Sequence, residues 1–348
     1  SYVSMNYSIS SYDKINVSKL VNNGNLTGAK FSKYEYIAGI CCEGFNSVYY
    51  TLDQCVNNGD IQLFGGTNSE FVNKLNCIAG LVGNTFAKMT NSYNTGNIIG
   101  TNLNQGNFTG FNMIGGLVAM TNGSGVEQTL ANCYNTGQIL FNIINNVNFG
   151  SSTDVIYIGG LIGKVQSKAN VVNCVQGTNP NGDYTSGISV NVSNLMSGDY
   201  DFRIGGAFGG SNYVRDLNIE NVRVLSGISY NNTDSTYNHV GAICGYASNS
   251  YTSTQLTNIS NHITNGVDPL SAMIYGPDAS ISTNLTSVNT YYSSDAIFTN
   301  CTQMGYIDNL SLANVNLPNL NADGAYDSVY KKSNAEMLAE ISTSSGSI

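Results

Sequence analysis

Apolar residues along this chain fall in short runs broken by Asn, Gly, Ser and Thr, a pattern that predicts strands of about 4 to 6 residues separated by tight bends. The runs recur as two phrases. One contains Val21-Asn22-Asn23-Gly24, Val56-Asn57-Asn58-Gly59, Tyr93-Asn94-Thr95-Gly96 and Tyr134-Asn135-Thr136-Gly137. The other is an Ile-Gly-Gly-Leu word: Ile37-Ala38-Gly39-Ile40, Ile78-Ala79-Gly80-Leu81, Ile114-Gly115-Gly116-Leu117, Ile158-Gly159-Gly160-Leu161 and Ile204-Gly205-Gly206-Ala207, with Val240-Gly241-Ala242-Ile243 after them. The phrases alternate, and each recurs after about 35 to 46 residues. A period of that size predicts stacked supersecondary units.

The residue types explain what repeats. Glycine enters positive φ without a Cβ clash, and asparagine tolerates the same geometry while bonding to nearby backbone. Gly24, Gly59, Gly96, Gly137, Gly39, Gly80, Gly116, Gly160 and Gly206 are therefore expected at structural turns. If coils stack at about 4.8 Å, equivalent asparagines lie above one another and form hydrogen-bonded ladders. The stretches from 98 to 114 and from 139 to 158 vary in length and read as loops thrown out from the coil. Only 10% of the residues are charged, which tells against a helical repeat with its regular Glu and Lys.

Residues 131–137 and 158–163 carry the pattern best, and they resemble the GLUG repeat, a β-solenoid module of secreted and surface-attached bacterial proteins that also occurs in IgA-specific metallopeptidases. The resemblance covers about residues 20 to 300 and fades after Cys174-Val175-Gln176-Gly177. The expected fold is all-β: a right-handed parallel β-helix of about seven or eight coils over residues 1–332, followed by a short helix and frayed tail over 333–348. Ser333-Asn334-Ala335-Glu336 has capping-box spacing for that helix. The resemblance implies an exported, extracellular or cell-surface protein, non-catalytic, that adheres to or displays loops toward a host or environmental glycan or protein. Two alternatives stay open: a subunit that self-associates end to end into an extracellular filament, and an accessory domain of a larger secreted peptidase.

Composition narrows this further. The net charge is −9, and without a basic stripe no nucleic-acid partner is expected. No apolar run reaches the length of a membrane span, so no membrane insertion is expected. Ser1 opens a polar stretch, as if any export signal had been removed. Of eight cysteines, Cys55, Cys133, Cys174 and Cys301 hold one slot just ahead of the first phrase, with Ser92 in the third unit. They predict an inward ladder of buried thiols. Free thiols are the preferred reading, with a Cys133–Cys174 disulfide within reach at the expected coil spacing, whereas metal binding lacks any Cys-x-x-Cys or Cys/His cluster.

Candidate chemistry is sparse, and neither a cofactor nor a catalytic residue is expected. His239 and His262 are the only histidines and form no zinc-peptidase motif. His239 occupies the slot of Tyr36, Cys77, Met113, Tyr157 and Arg203, a mixture that suggests surface or a tolerant edge. Asp199, Asp201, Arg203, Arg215 and Asp216 mix both signs as polysaccharide-cleaving sites do, but a solvated loop followed by a strand edge is the plainer reading. Asn319, Asn321, Asp323 and Asp327 begin like a calcium loop, yet Tyr330 stands where such a loop needs Glu, and an ordinary turn is preferred. The chain has 23 tyrosines; Tyr49-Tyr50 and Tyr291-Tyr292 would each present a ring outward from a strand.

Overall fold

The computed structural model describes residues 14–30, 34–43, 49–64, 74–84, 88–103, 110–121, 127–144, 154–177, 187–193, 200–211, 216–232, 237–241, 243–247, 253–261, 271–272, 285–293 and 329–332. Cys301, the calcium-like residues 319–327, Asp199, Arg215 and the expected helix over 333–348 lie outside them.

Every described element is a β-strand, and every strand pairing is parallel between successive coils. The first coil consists of Lys14–Ser18, Val21–Asn22, Leu26–Lys30, Tyr34–Ala38 and Cys41–Glu43. The fourth repeats this order as Gln128–Ala131, Tyr134–Asn135, Ile139–Ile144, Asp154–Gly159 and Ile162–Val165. Equivalent strands form five stacks. The third and fifth stacks are six strands deep, so the described residues hold six complete coils. The chain is thus a parallel β-solenoid. The first and second stacks merge into one sheet because Ser253–Asn261 runs straight through the corner and pairs with strands of both.

Alternation in the strands places one side chain of each pair inward. Ile78, Ile114, Ile158 and Ile204 align in register, as do Ile61, Ile98, Ile139, Ile188 and Ile228. All are buried in one continuous core. Burying each such side chain contributes about 2 kcal/mol, and identical neighbours pack without change of volume from coil to coil.

The repeated glycines lie in bends between strands, as expected, but for a different reason. The glycines of the first phrase do not supply the left-handed backbone. Positive φ falls instead on Lys19, Gln54, Asn91, Asn132, Asn173 and Asn221, at 49° to 56°, between the first and second strands, and among the described glycines on Gly177, at 85°, in the degenerate fifth copy of the phrase. Lys19 and Gln54 accept a cost of about 1 kcal/mol there. From Asn91 on, the residue is asparagine, and Asn132, Asn173 and Asn221 each donate to the corner amide one coil below at 3.2, 3.0 and 2.8 Å. The phrase glycines are needed for space: a Cβ on Gly59, Gly96 or Gly137 would lie 2.1, 2.1 and 2.0 Å from the carbonyl oxygen of the glycine beneath it. Gly39, Gly80, Gly116 and Gly160 are in the same position, each packed against the carbonyl of the next coil's glycine, Gly206 serving for Gly160.

The asparagine ladder forms as expected. Asn22, Asn57 and Asn94 each donate Nδ2 to the Oδ1 of the next coil's asparagine, at 2.7, 2.7 and 2.8 Å. Each also bonds the carbonyl of its own phrase glycine. The ladder stops at Asn135, because Gln176 follows it and leaves its own Oε1 without a hydrogen bond. The thiol slot is inward too: Cys55, Ser92, Cys133 and Cys174 are buried, and the described cysteines are free thiols.

Candidate functional site

Successive residues of a strand face opposite sides, so the residues alternating with the isoleucines of the fourth stack point away from the main core. They are not at the surface. Tyr36, Cys77, Met113 and Tyr157 build a second, smaller core with Ala119 and Met120 from the fifth stack. The two stacks approach backbone to backbone, which is why glycine recurs in both: a Cβ on Gly163 would lie 2.7 Å from the backbone of Ile114, and one on Gly209 would lie 2.5 Å from that of Ile158.

In coils four to six this second core becomes polar. Tyr157, Arg203 and His239 align in register along the fourth stack, and Lys164, Gly210 and Tyr246 align along the fifth. Asp201 sits two residues before Arg203 and therefore on the same face. Asp201, Arg203 and His239 are 6%, 9% and 5% exposed, so the expectation of a tolerant surface slot for His239, and of a solvated edge for Asp201 and Arg203, is corrected. Chemical variety along the slot reflects complementary partners one coil apart, not contact with water.

Arg203 organises the group. Its Nε and Nη2 donate to Asp201 Oδ2 at 2.8 and 2.5 Å, and Nη1 donates to the Tyr157 hydroxyl at 2.7 Å. Its guanidinium lies 3.5 Å from the centre of the Tyr246 ring, and His239 meets the same ring edge-on at 5.0 Å. Asp201 Oδ1 is 3.3 Å from His239 Nε2 but makes no hydrogen bond. Lys164 Nζ stands 5.1 Å from the centre of the Tyr157 ring.

Burial sets the protonation states. Burial would lower the Arg203 guanidinium, but the hydrogen bonds to Asp201 and the neighbouring Tyr157 and Asp201 charges outweigh it and hold it above its usual value. Burial pushes the Tyr157 phenol up, against the pull of Arg203. Burial and then the Arg203 charge push the Lys164 amine down to about 8. A cluster so enclosed, with Arg203 bonded to partners on two coils, is suited to fixing the register of three coils.

The remaining sequence candidates are scattered. Asp216 begins a first-stack strand, far along the coil from Asp201. Among the described residues no group of three or more His, Cys, Asp or Glu side chains could hold a metal ion, and no helix is long and apolar enough to cross a membrane. Sequence inspection passed over Tyr157, Lys164 and Tyr246 as members of the cluster. The signal that could have found them is the slot alignment itself, read as a column of neighbours.

The outward face of the second stack is the other regular feature. Tyr93 and Tyr134 stack with ring centres 4.5 Å apart and planes 7° from parallel. Beside them Asn58 donates to Asn23 and Thr95 to Asn58, both at 2.8 Å.

Fold and site together define a class, a parallel β-solenoid with an internal amide ladder and, among the described residues, a buried ionic cluster. Comparison of the chain with family models, curated proteins and solved structures gives no match.

Proposed function

We propose that this chain is an exported, non-catalytic solenoid module that adheres to, or displays loops toward, a glycan or protein partner outside the cell. The observation that carries the reading is the division of chemistry between inside and outside. The acids and bases suited to catalysis, Asp201, Arg203 and His239, are buried against one another, while the outer columns offer amides and hydroxyls from Asn23, Asn58, Thr95, Asn91 and Asn132 at strand spacing. Such rows on a stiff sheet suit the hydroxyl groups of a glycan or the backbone of a protein. The likeness to GLUG repeats supports export and surface attachment.

The test is binding of the purified chain to arrayed glycans and to extracellular matrix proteins, alongside a polysaccharide-degradation screen. Saturable binding without turnover is the expected result. Cleavage of any glycan would overturn the non-catalytic reading, and a failure to bind either class would overturn adhesion.

One observation favours end-to-end assembly as a second reading. Leu20 and Val21 on the first coil are 46% and 51% exposed, whereas their equivalents Cys55 and Val56 are buried. A coil of a second copy laid beneath them would cover both. Ordered filaments in electron micrographs of the purified chain would favour this reading, and monodisperse rods would dismiss it.

A further inference from the structure

We propose that Tyr93 and Tyr134 form a site of oxidative cross-linking, at which a haem peroxidase with hydrogen peroxide joins the two rings by a carbon–carbon bond and staples the third coil to the fourth. The inference stands on the geometry of the pair and is independent of what the solenoid binds.

The two tyrosines are direct register partners on neighbouring parallel strands. Their rings lie 4.5 Å apart, centre to centre, and nearly parallel, a separation close to that of two directly joined phenyl rings. Both are half-buried on the outer face and so remain within reach of solvent. The column is interrupted on either side, because Val56 precedes Tyr93 and Val175 follows Tyr134. An oxidised ring of this pair therefore has its own partner as its neighbour along the stack.

The backbone holds the rings in place. Tyr93 N donates to Cys55 O at 3.0 Å, Tyr134 N to Ser92 O at 3.3 Å and Val175 N to Cys133 O at 3.1 Å. The adjoining Asn94–Asn135 hydrogen bond locks the same two coils. Reactants fixed in this way combine as a unimolecular step with a high effective concentration. The phenols also act on each other: burial, and then the charge and hydrogen bonding of Tyr93, hold the proton of Tyr134 more tightly than usual.

The chemistry balances. Each phenol loses one electron and one proton to give a phenoxyl radical, whose unpaired spin lies partly on the ring carbons beside the oxygen. Rotation about the Cβ–Cγ bonds turns the rings from face-to-face to edge-to-edge, and a bond forms between one such carbon of each. The hydrogens on those carbons then move to the oxygens, restoring two phenols. Two phenols and one hydrogen peroxide yield one dityrosine and two waters. Of the tyrosines in the buried cluster, the Tyr157 hydroxyl is bonded by Arg203 and the Tyr246 face is covered by it.

The experiment treats the purified full chain with a haem peroxidase and hydrogen peroxide, follows dityrosine fluorescence, and maps linked peptides by mass spectrometry. The expected product is monomeric under denaturing conditions, lighter by two hydrogen atoms, and contains a peptide joining Tyr93 to Tyr134 in a yield that does not fall on dilution. Tyr93→Phe and Tyr134→Phe retain the ring stack and should each abolish that peptide; the wild-type peptide map decides the matter even if a variant misfolds. Linked peptides that join only other tyrosines, a yield that falls with dilution, or no cross-link at all would overturn the proposal.

Discussion

Lys164 offers the sharpest test of the buried cluster. It occupies the fifth-stack slot that Met120 fills one coil earlier, so Lys164→Met copies a side chain the solenoid already accommodates. Burial and Arg203 lower the amine from 10.5 to about 8; at about 1.4 kcal/mol per pH unit, carrying the charge costs the fold about 3 kcal/mol. The substitution forfeits the cation–π contact with Tyr157, about 1 kcal/mol. Lys164→Met should therefore stabilise the protein by about 2 kcal/mol at pH 7. The sign of the pH dependence follows from the lowered value. Below about pH 8 the amine is protonated in both states and the cost is fully present. Between about 8 and 10.5 the unfolded chain keeps a proton that the folded chain has lost, so wild-type stability gains on the variant as pH rises. The assay is equilibrium urea unfolding of both proteins from pH 7 to pH 10, followed by far-ultraviolet circular dichroism because the chain has no tryptophan. A variant less stable than wild type at pH 7, or a difference that ignores pH, would refute the reasoning.

Other expectations are simpler to read. Asn94→Ala removes a rung bonded on both sides and strands buried amides at Asn57 and Asn135; a loss of about 3 kcal/mol is expected in chemical unfolding. Gly96→Ala should prevent folding or lower the melting temperature sharply, since its Cβ would lie 2.1 Å from Gly59 O, whereas Gly24→Ala should be tolerated because its nearest neighbour is 3.7 Å away. Arg203→Met leaves the Asp201 carboxylate buried without its main partner, so a loss of about 4 kcal/mol is expected, with partial recovery in the Asp201→Asn, Arg203→Met double variant. Burial pushes the Cys41 and Cys244 thiols up to about 12 and also raises that of Cys133. Alkylation of Cys133 and Cys244 at pH 8 should accordingly be slow in the folded protein and fast after denaturation, and rapid labelling of either in the folded chain would contradict their burial.

The sequence by itself determined the solenoid. A period of about 35 to 46 residues with short apolar runs leaves stacking as the way to bury those runs, and the equivalent asparagines had to meet once the coils stacked. The buried thiol slot at Cys55, Cys133 and Cys174 was legible for the same reason: each coil repeats the environment of the last. Three matters were decided only in three dimensions. The left-handed corner moved from the phrase glycines to the residue two places ahead of Tyr93 and Tyr134, because close approach between coils demands glycine as strongly as positive φ does, and sequence cannot distinguish the two demands. The slot shared by Met113, Tyr157, Arg203 and His239 proved to be interior, since the fifth stack folds against the outer face of the fourth. Finally, Arg203 finds Tyr157 46 residues earlier and Tyr246 on the following coil. Partners brought together along the solenoid axis are distant in the chain, and their complementarity becomes visible only when the register between coils is known.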